Sequence, residues 1–369
     1  MRILFITTGL KLGGAEQQIA ALAQAFVNLG HKIAVLSLTD GCEVKLPSEV
    51  TVISLGMRKS PLSMLHAIGR ARRFIRQWCP DIIHAHMIHG NLFARALTSF
   101  GSMPPLVCSA HSAREGGRLR ALAYRLTDRW CALTTHVSQA GRNAMVQGGA
   151  IRADRITVMP NGIDTSRFAP EPSARQRVRQ SLGLDASEIV LLSVGRLVAE
   201  KDHALLIDAF AEVLRTDLQI RLLIAGDGPL RNELQAQIGR LQLGHSVQLL
   251  GSREDIPDLL RSADVFVLSS NIEGMPLVVC EAMATGLPVV ATDAAGVREI
   301  AGDLAIITPV GDRITLAQAL QRAISRLPTA PGMRARYRER IIENFDVTTI
   351  ARRWLAQYRR LMEGCRCAA

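Results

Sequence analysis

Short, nearly unbroken apolar runs recur along the chain, and stretches with helical spacing separate them. In the first half the runs fall at residues 3–7, 32–38, 51–55, 81–86, 106–110 and 133–138. Between them, residues 17–29 carry a helical pattern stopped by Gly30, residues 62–78 a second stopped at Cys79-Pro80, and a third starts at about Asn91. Strands that are apolar without alternation are buried on both faces, and helices between them imply parallel pairing with right-handed crossovers. After a Pro-, Gly- and Asp-rich stretch from Met159 through Pro172 the pattern restarts. Its second set of runs lies at 189–194, 221–225, 247–250, 265–269, 288–291 and 305–308. The chain therefore reads as α/β, with two doubly wound parallel-sheet halves: residues 1–165, a hinge at 166–185, and residues 186–345. A last amphipathic helix over about 348–362 carries paired arginines at 352–353 and 359–360.

Length agrees, since 369 residues suit two domains of this size. No apolar run reaches the roughly 18 residues of a membrane span. The opening apolar stretch is too short for a signal peptide and is followed by Lys11-Leu12-Gly13-Gly14, so a buried first strand is expected. Seven cysteines, with no C-x-x-C, read as small buried hydrophobes in a reducing cytoplasm. Cys365 and Cys367 are too sparse for a metal site.

Charge changes the picture. Of the net +11, residues 1–165 carry 19 Lys+Arg against 9 Asp+Glu, and the remainder is nearly balanced. Two basic clusters stand out: Arg58, Lys59, Arg70, Arg72, Arg73 and Arg76, then Arg114, Arg118, Arg120, Arg125 and Arg129. They read either as a solvated face or as a surface for anionic lipid headgroups or a pyrophosphate-linked lipid. Nucleic acid is the third and weakest reading and is not expected as a partner, given the 4% aromatic content and the lack of a binding motif.

The densest chemistry lies at Glu273-Gly274-Met275-Pro276-Leu277, with Glu281 following and Gly286-Leu287-Pro288 beyond. Gly274 permits a tight turn and close approach to a ligand, and Pro276 suits the first helical position. The N–H groups of that turn then point outward. An ordinary helix start with well-placed acids has the same E-x7-E spacing; the Gly-x-Pro turn and the later Gly-Leu-Pro favour a binding site. After the first strand of the second half comes Gly195-Arg196, then Glu200-Lys201-Asp202. Arginine binds a diphosphate through two bonds and lysine adds a point charge, so the pair either converges on one pyrophosphate or points into solvent. Gly9 to Glu16, with Gly13-Gly14, follows the first strand; it is either a plain turn or a close approach to an anion at a helix start. It is not the G-x-G-x-x-G dinucleotide fingerprint. His111 ends a predicted strand at the carboxyl edge, where open α/β sheets bind ligands. His84, His86 and His89 lack a carboxylate cage, and a structural role, or an acceptor-side one for His86, is expected rather than metal.

Nearly the whole chain resembles the retaining glycosyltransferases of family 4, which have the GT-B fold of two Rossmann-like domains facing across a cleft. The resemblance implies that Glu273 contacts the donor sugar, that the backbone of Gly274, Met275, Pro276 and Leu277 holds its hydroxyls, and that Glu281 binds the ribose. It gives Arg196 and Lys201 the pyrophosphate, sets Gly13 and Gly14 beside the phosphates, and sets His111 against the sugar near the reacting carbon. Arg253 would border the nucleobase, and the last helix would cross back to the first domain. The reaction implied is transfer from a nucleotide diphosphate sugar, UDP-linked on family frequency, with configuration retained and the leaving phosphate helping to deprotonate the acceptor. No D-x-D motif precedes the sugar site, so no metal or other cofactor is expected. Relatives of this size build lipopolysaccharide, capsule or exopolysaccharide, which implies a glycan or polyprenyl-diphosphate-linked acceptor and a cytoplasmic protein, peripheral on the membrane if the basic face meets anionic lipid. A GT-B epimerase or phosphorylase, or a non-catalytic partner in a polysaccharide assembly complex, are the alternatives.

Overall fold

The computed structural model describes residues 1–11, 13–111, 117–215, 219–327 and 331–366, without the side chains of 331, 365 and 366. Arg114 of the second basic cluster and Cys367 lie outside the described residues, as does the side chain of Cys365. The chain forms two compact units, Met1–Ile163 with Asp346–Ala369, and Asp164–Phe345.

In unit 1 the elements run β1 (Arg2–Thr7), α1 (Gly14–Asn28), β2 (Lys32–Ser37), β3 (Thr51–Ser54), α2 (Pro61–Trp78), β4 (Ile82–His86) and α3 (Met87–Thr98). Then come β5 (Leu106–Ala110), α4 (Arg118–Thr127), β6 (Leu133–His136), α5 (Gln139–Gln147) and β7 (Ile156–Val158). Unit 2 holds α6 (Pro172–Ser181), β8 (Ile189–Val194), α7 (His203–Leu214), β9 (Ile220–Ala225), α8 (Arg231–Arg240), β10 (Val247–Gly251), α9 (Ile256–Ser262) and β11 (Val265–Leu268). It continues with α10 (Leu277–Ala284), β12 (Val289–Thr292), α11 (Val297–Ala301), β13 (Ile306–Thr308), α12 (Arg313–Ser325) and α13 (Pro331–Phe345); α14 (Val347–Arg366) then belongs to unit 1.

Both sheets are parallel, ordered β3-β2-β1-β4-β5-β6-β7 and β10-β9-β8-β11-β12-β13. Alternate side chains of one strand feed opposite layers. Ile3 and Phe5 of β1 pack with Ile19 and Phe26 of α1 and Trp354 of α14, while Leu4 and Ile6 pack with Ala67 and Ala71 of α2 and Phe93 of α3. In unit 2 one apolar layer joins Leu191 and Val267 to Leu206 and Phe210 of α7 and Leu320 of α12. With both faces covered the central strands are mostly apolar, and β4 departs from this with buried His84 and His86 alternating along it.

Three features depart from the sequence expectation. The stretch 166–185, expected as a hinge, contains α6, which belongs to unit 2; Arg175 and Arg179 bond to Ser262 O, and both pair with Asp264. Pro172 in its first turn is a helix-start signal that the surrounding polar residues mask. The strand β7 is only three residues long and too short for a periodicity to register. The third helix starts at Met87, directly after β4, not near Asn91.

The chain leaves unit 1 after Ile163 and returns at Asp346, and these two residues form a parallel bridge closed by Val347 N donating to Ile163 O at 2.8 Å. Farther along α14, Tyr358 reaches the buried His84. Among the described residues no helix is long and apolar enough to cross a membrane, and Cys42, Cys79, Cys108, Cys131 and Cys280 are free thiols.

Candidate active site

In unit 2 the strand order reverses beside β8, with β9 on one side and β11 on the other. The loops leaving two such strands run in opposite directions and open a crevice at their carboxyl ends. The loop after β8 carries Arg196 and Lys201, and the loop after β11 carries Glu273. Lys201 Nζ donates to Glu273 Oε1 at 2.6 Å. The backbones are clasped as well: Asn271 N donates to Glu200 O at 2.8 Å, and Ser269 Oγ to Lys201 O at 2.9 Å. Asn271 Nδ2 donates to Asp202 Oδ2 at 3.0 Å, and Asp202, in left-handed backbone at φ 44°, caps α7 by accepting from Leu205 N.

The floor of this crevice is glycine. A Cβ on Gly195 would touch Lys201 Cγ and Cδ at 3.6 Å, so the lysine stem lies along the backbone that precedes Arg196. Gly226 has φ +146°, and a Cβ there would lie 1.9 Å from Gly195 O, so only glycine lets the two loops meet. Arg196 is exposed, and its guanidinium has no carboxylate partner among the described residues. His203, buried below Lys201, is pushed down to about 4, first by burial; the neighbouring Lys201 charge adds to this, and the backbone of Gly195 and Arg196 opposes it. The imidazole is therefore neutral at physiological pH.

Beyond Glu273 the chain turns through Gly274, buried Met275 and Pro276 into α10. Pro276 is the cap residue of this helix, and Leu277 its first helical residue, one place later than the sequence pattern predicts. Gly296, at φ +82°, presses on the turn so closely that a Cβ would meet Gly274 O and Met275 Cα at 3.0 Å. Glu281 follows one turn into α10. Burial raises its carboxyl to about 7, against the opposing pull of Arg167. The ionised form is thus disfavoured by the fold. Folded and unfolded chains differ in proton binding between the usual carboxyl pKa and about 7, so the penalty accumulates across that window, is full at alkaline pH and is absent in acid. Glu281→Gln should therefore raise the calorimetric Tm of unit 2 by a few degrees at pH 8 and leave it unchanged near pH 4.5. An equal shift at both pH values would show that the carboxyl is not strained by burial.

Arg253 has another partner: its Nε and Nη2 grip Asp255 at 2.8 and 2.6 Å. Its guanidinium is thus held by its own loop.

In unit 1 the order reverses between β1 and β4. Gly13 caps α1 in extended backbone without a side-chain hydrogen bond, and exposed Gly14 opens the helix. His86 and His111 end β4 and follow β5, with His86 Nδ1 and His111 Nε2 3.1 Å apart. Burial, then the proximity of His136, lowers His111 to about 4. His84 is fully buried, its Nδ1 2.6 Å from Tyr358 OH and its Nε2 2.7 Å from Ser109 Oγ. His84 is thereby structural, and His86 links it to His111.

Sequence reading missed Asn271 and His203 as parts of this site and gave Asp202 no role of its own. The only available signal was Asp202 directly before a helical pattern, a capping position. Among the described residues no group of three or more His, Cys, Asp or Glu is arranged to hold a metal ion.

Two parallel-sheet units of this order, one with a lysine–carboxylate crevice at its switch point, have the architecture of the GT-B fold. Residues 12–167 match the family model for Glycosyltransferase Family 4, and residues 174–344 that for Glycosyl transferases group 1. A Bacillus subtilis protein named as glycosyltransferase EpsF is 29% identical over 338 residues, covering 86% of this chain and 85% of its own. The Escherichia coli UDP-Gal:alpha-D-GlcNAc-diphosphoundecaprenol alpha-1,3-galactosyltransferase is 30% identical over 226 residues, 58% of each chain. The crystal structure of Anabaena HepE in complex with UDP superposes with a TM-score of 0.84 at 26% identity, covering 97% of this chain and 99% of that one. The chain belongs to the family 4 glycosyltransferases.

Proposed function

We propose that the chain transfers a sugar from UDP-sugar to a hydroxyl of a glycan or polyprenyl-diphosphate-linked acceptor in surface polysaccharide assembly, with anomeric configuration retained. The observation that carries this reading is the contact of Lys201 with Glu273 at the switch point, in the loop that also carries the exposed Arg196. The UDP bound to the Anabaena relative and the diphosphate-lipid acceptor in the name of the Escherichia coli relative support it.

In this reaction the bond between the anomeric carbon and the diphosphate oxygen breaks, and the pair of electrons leaves with UDP. Arg196 and Lys201 neutralise that charge, as preorganised cations do best in a partly dried site. Glu273 keeps Lys201 in place before the donor arrives and then faces the sugar. Glu281 ionises against the ribose. The 274–277 turn offers backbone N–H groups, Gly13 and Gly14 flank the phosphates, and neutral His111 shapes the sugar without adding charge. The acceptor oxygen bonds to the same face, and its proton passes to the departing phosphate. No cofactor or metal takes part.

A donor screen that reads released nucleotide, with and without a bacterial lipid extract and with chelator present, tests this. UDP release stimulated by acceptor and an α-linked product by NMR are expected. Epimerised donor without acceptor, or no consumption of any nucleotide sugar, would overturn it.

A further inference from the structure

Unit 2 has a second concavity, at the edge of its sheet opposite the Lys201–Glu273 crevice. Pro288 and Ala305 stand directly before β12 and β13, so the cavity they line lies at the amino ends of these strands. Its volume is about 600 Å³, within the range of small-molecule sites. Leu304, Ile306 and Met333 form an apolar wall, and Arg322, Arg326, Asp303 and Tyr337 bring polar groups to it. The helices at its sides are fixed. Leu316 and Leu320 bury one face of α12 in the core. Arg338, next to Tyr337 on α13, donates through Nη1 to Ala284 O of α10 at 2.8 Å, and Arg340 Nη2 donates to Glu299 O of α11 at 2.9 Å.

Tyr337 points to a ligand. It is only 6% exposed, yet its hydroxyl has no hydrogen-bond partner among the described residues, and the cavity is the open space beside it. A buried hydroxyl without a partner is rare in native structures. Burial raises this phenol above its usual range, against the charges of Arg326, Arg334 and Arg336, so it keeps its proton for donation. Arg322 and Arg326 stand one turn apart on one face of α12; both are exposed, and neither pairs with a carboxylate among the described residues. Two such guanidiniums suit a phosphate, which takes paired N–H donors. Asp303, exposed beside them, repels a phosphate but accepts from hydroxyls. A packing void would be apolar and closed. A seat for a protein segment would carry large exposed apolar side chains, and Ile314 and Ile342, which α12 and α13 do expose, lie outside the lining.

We propose that this cavity is a second ligand site, for a phosphate monoester of a hydroxylated ring such as a sugar or nucleoside monophosphate. Arg322 and Arg326 take the phosphate, Tyr337 and Asp303 meet hydroxyls, and the wall of Leu304, Ile306 and Met333 lies against the ring. Because the cavity opens at the amino ends of the strands, its occupant is a molecule other than the one held at the carboxyl ends by Lys201 and Glu273. The proposal does not depend on which nucleotide sugar is the donor.

Fluorine NMR of the full chain labelled with fluorotyrosine tests it. Tyr337 is the one tyrosine of unit 2, since Tyr124 and Tyr358 lie in unit 1, and Tyr337→Phe assigns its resonance. Glucose-1-phosphate, adenosine monophosphate or both should shift the Tyr337 signal saturably, and the ester that does so identifies the ring the wall accepts. Glucose and adenosine, which lack the phosphate, should bind roughly tenfold or more weakly, and so should inorganic phosphate, which lacks the ring. The double variant Arg322→Gln, Arg326→Gln should lose a similar factor and keep the wild-type Tm, because glutamine suits an exposed helix position. Excess UDP should leave the shift in place. No shift with either ester at millimolar concentration, inorganic phosphate binding as well as the esters, arginine variants that bind like wild type, or displacement by UDP would each overturn the proposal.

Discussion

Replacing Lys201 by alanine should lower kcat/KM for the nucleotide sugar by about 10²–10³, the range for removing one preorganised group that meets developing charge. The lysine is only 23% exposed, its stem lies along Gly195, and its Nζ is 2.6 Å from Glu273, so it is aimed before the donor binds. Glu273→Gln should cost a similar factor, because it removes the carboxylate that aims Lys201 and, under the proposed function, the contact to the sugar. The double variant should be far less impaired than the product of the two effects, since groups that share one interaction are not additive. Thermal stability should change little by comparison: the pair is partly solvated and screened, and its net contribution is small. Steady-state kinetics with UDP release decide the matter. A Lys201→Ala enzyme within threefold of wild type would remove the lysine from the diphosphate site.

Unit 1 should lose stability steeply as pH falls from about 6.5 towards 4. His84, His86 and His111 form a stack with ring centroids 4.0 and 5.4 Å apart, and Trp354 lies 4.4 Å from His84. Burial lowers all three first; His111 lowers His84 further, His84 and His111 lower His86, and His136 lowers His111. The unfolded chain then binds more protons than the folded one between the two pKa values, so stability rises with pH through that window and is lost in acid. For His111, moving from 6.5 to about 4 corresponds to about 3 kcal/mol once the window is crossed. Against a whole-domain stability of roughly 5–15 kcal/mol that is a large share, and the lowered His84 and His86 act in the same direction. Trp78, Trp130 and Trp354 all lie in unit 1, so tryptophan fluorescence reports this unit alone. Urea midpoints should fall between pH 7 and pH 4.5. A flat profile would mean that the stack tolerates a proton.

The strands were legible because parallel sheets covered on both faces demand unbroken apolar runs. The runs at 106–110 and 189–194 coincide with β5 and β8 residue for residue. Local chemistry was legible too, since glycine and charge at the carboxyl ends of strands have few structural reasons to be there. What distance along the chain conceals is partnership. Lys201 and Glu273 are 72 residues apart, and nothing in either segment names the other. Arg253 has its carboxylate two residues away, and that proximity in sequence was a clue to a local pair. The α6 helix escaped because its few apolar residues, Ala174 and Val178, are diluted by arginine and glutamine. The histidine stack depends on Tyr358, contributed by α14 from the far end of the chain.

The bridge between Ile163 and Asp346 brings both crossings of the chain to one doorway. A gene segment for the second unit can therefore be exchanged among relatives by cutting at two places that touch in space, without severing a strand of the first sheet. Under the function proposed above, recombination there would bring new donors to an old acceptor, and the stack beneath α14 would be inherited whole.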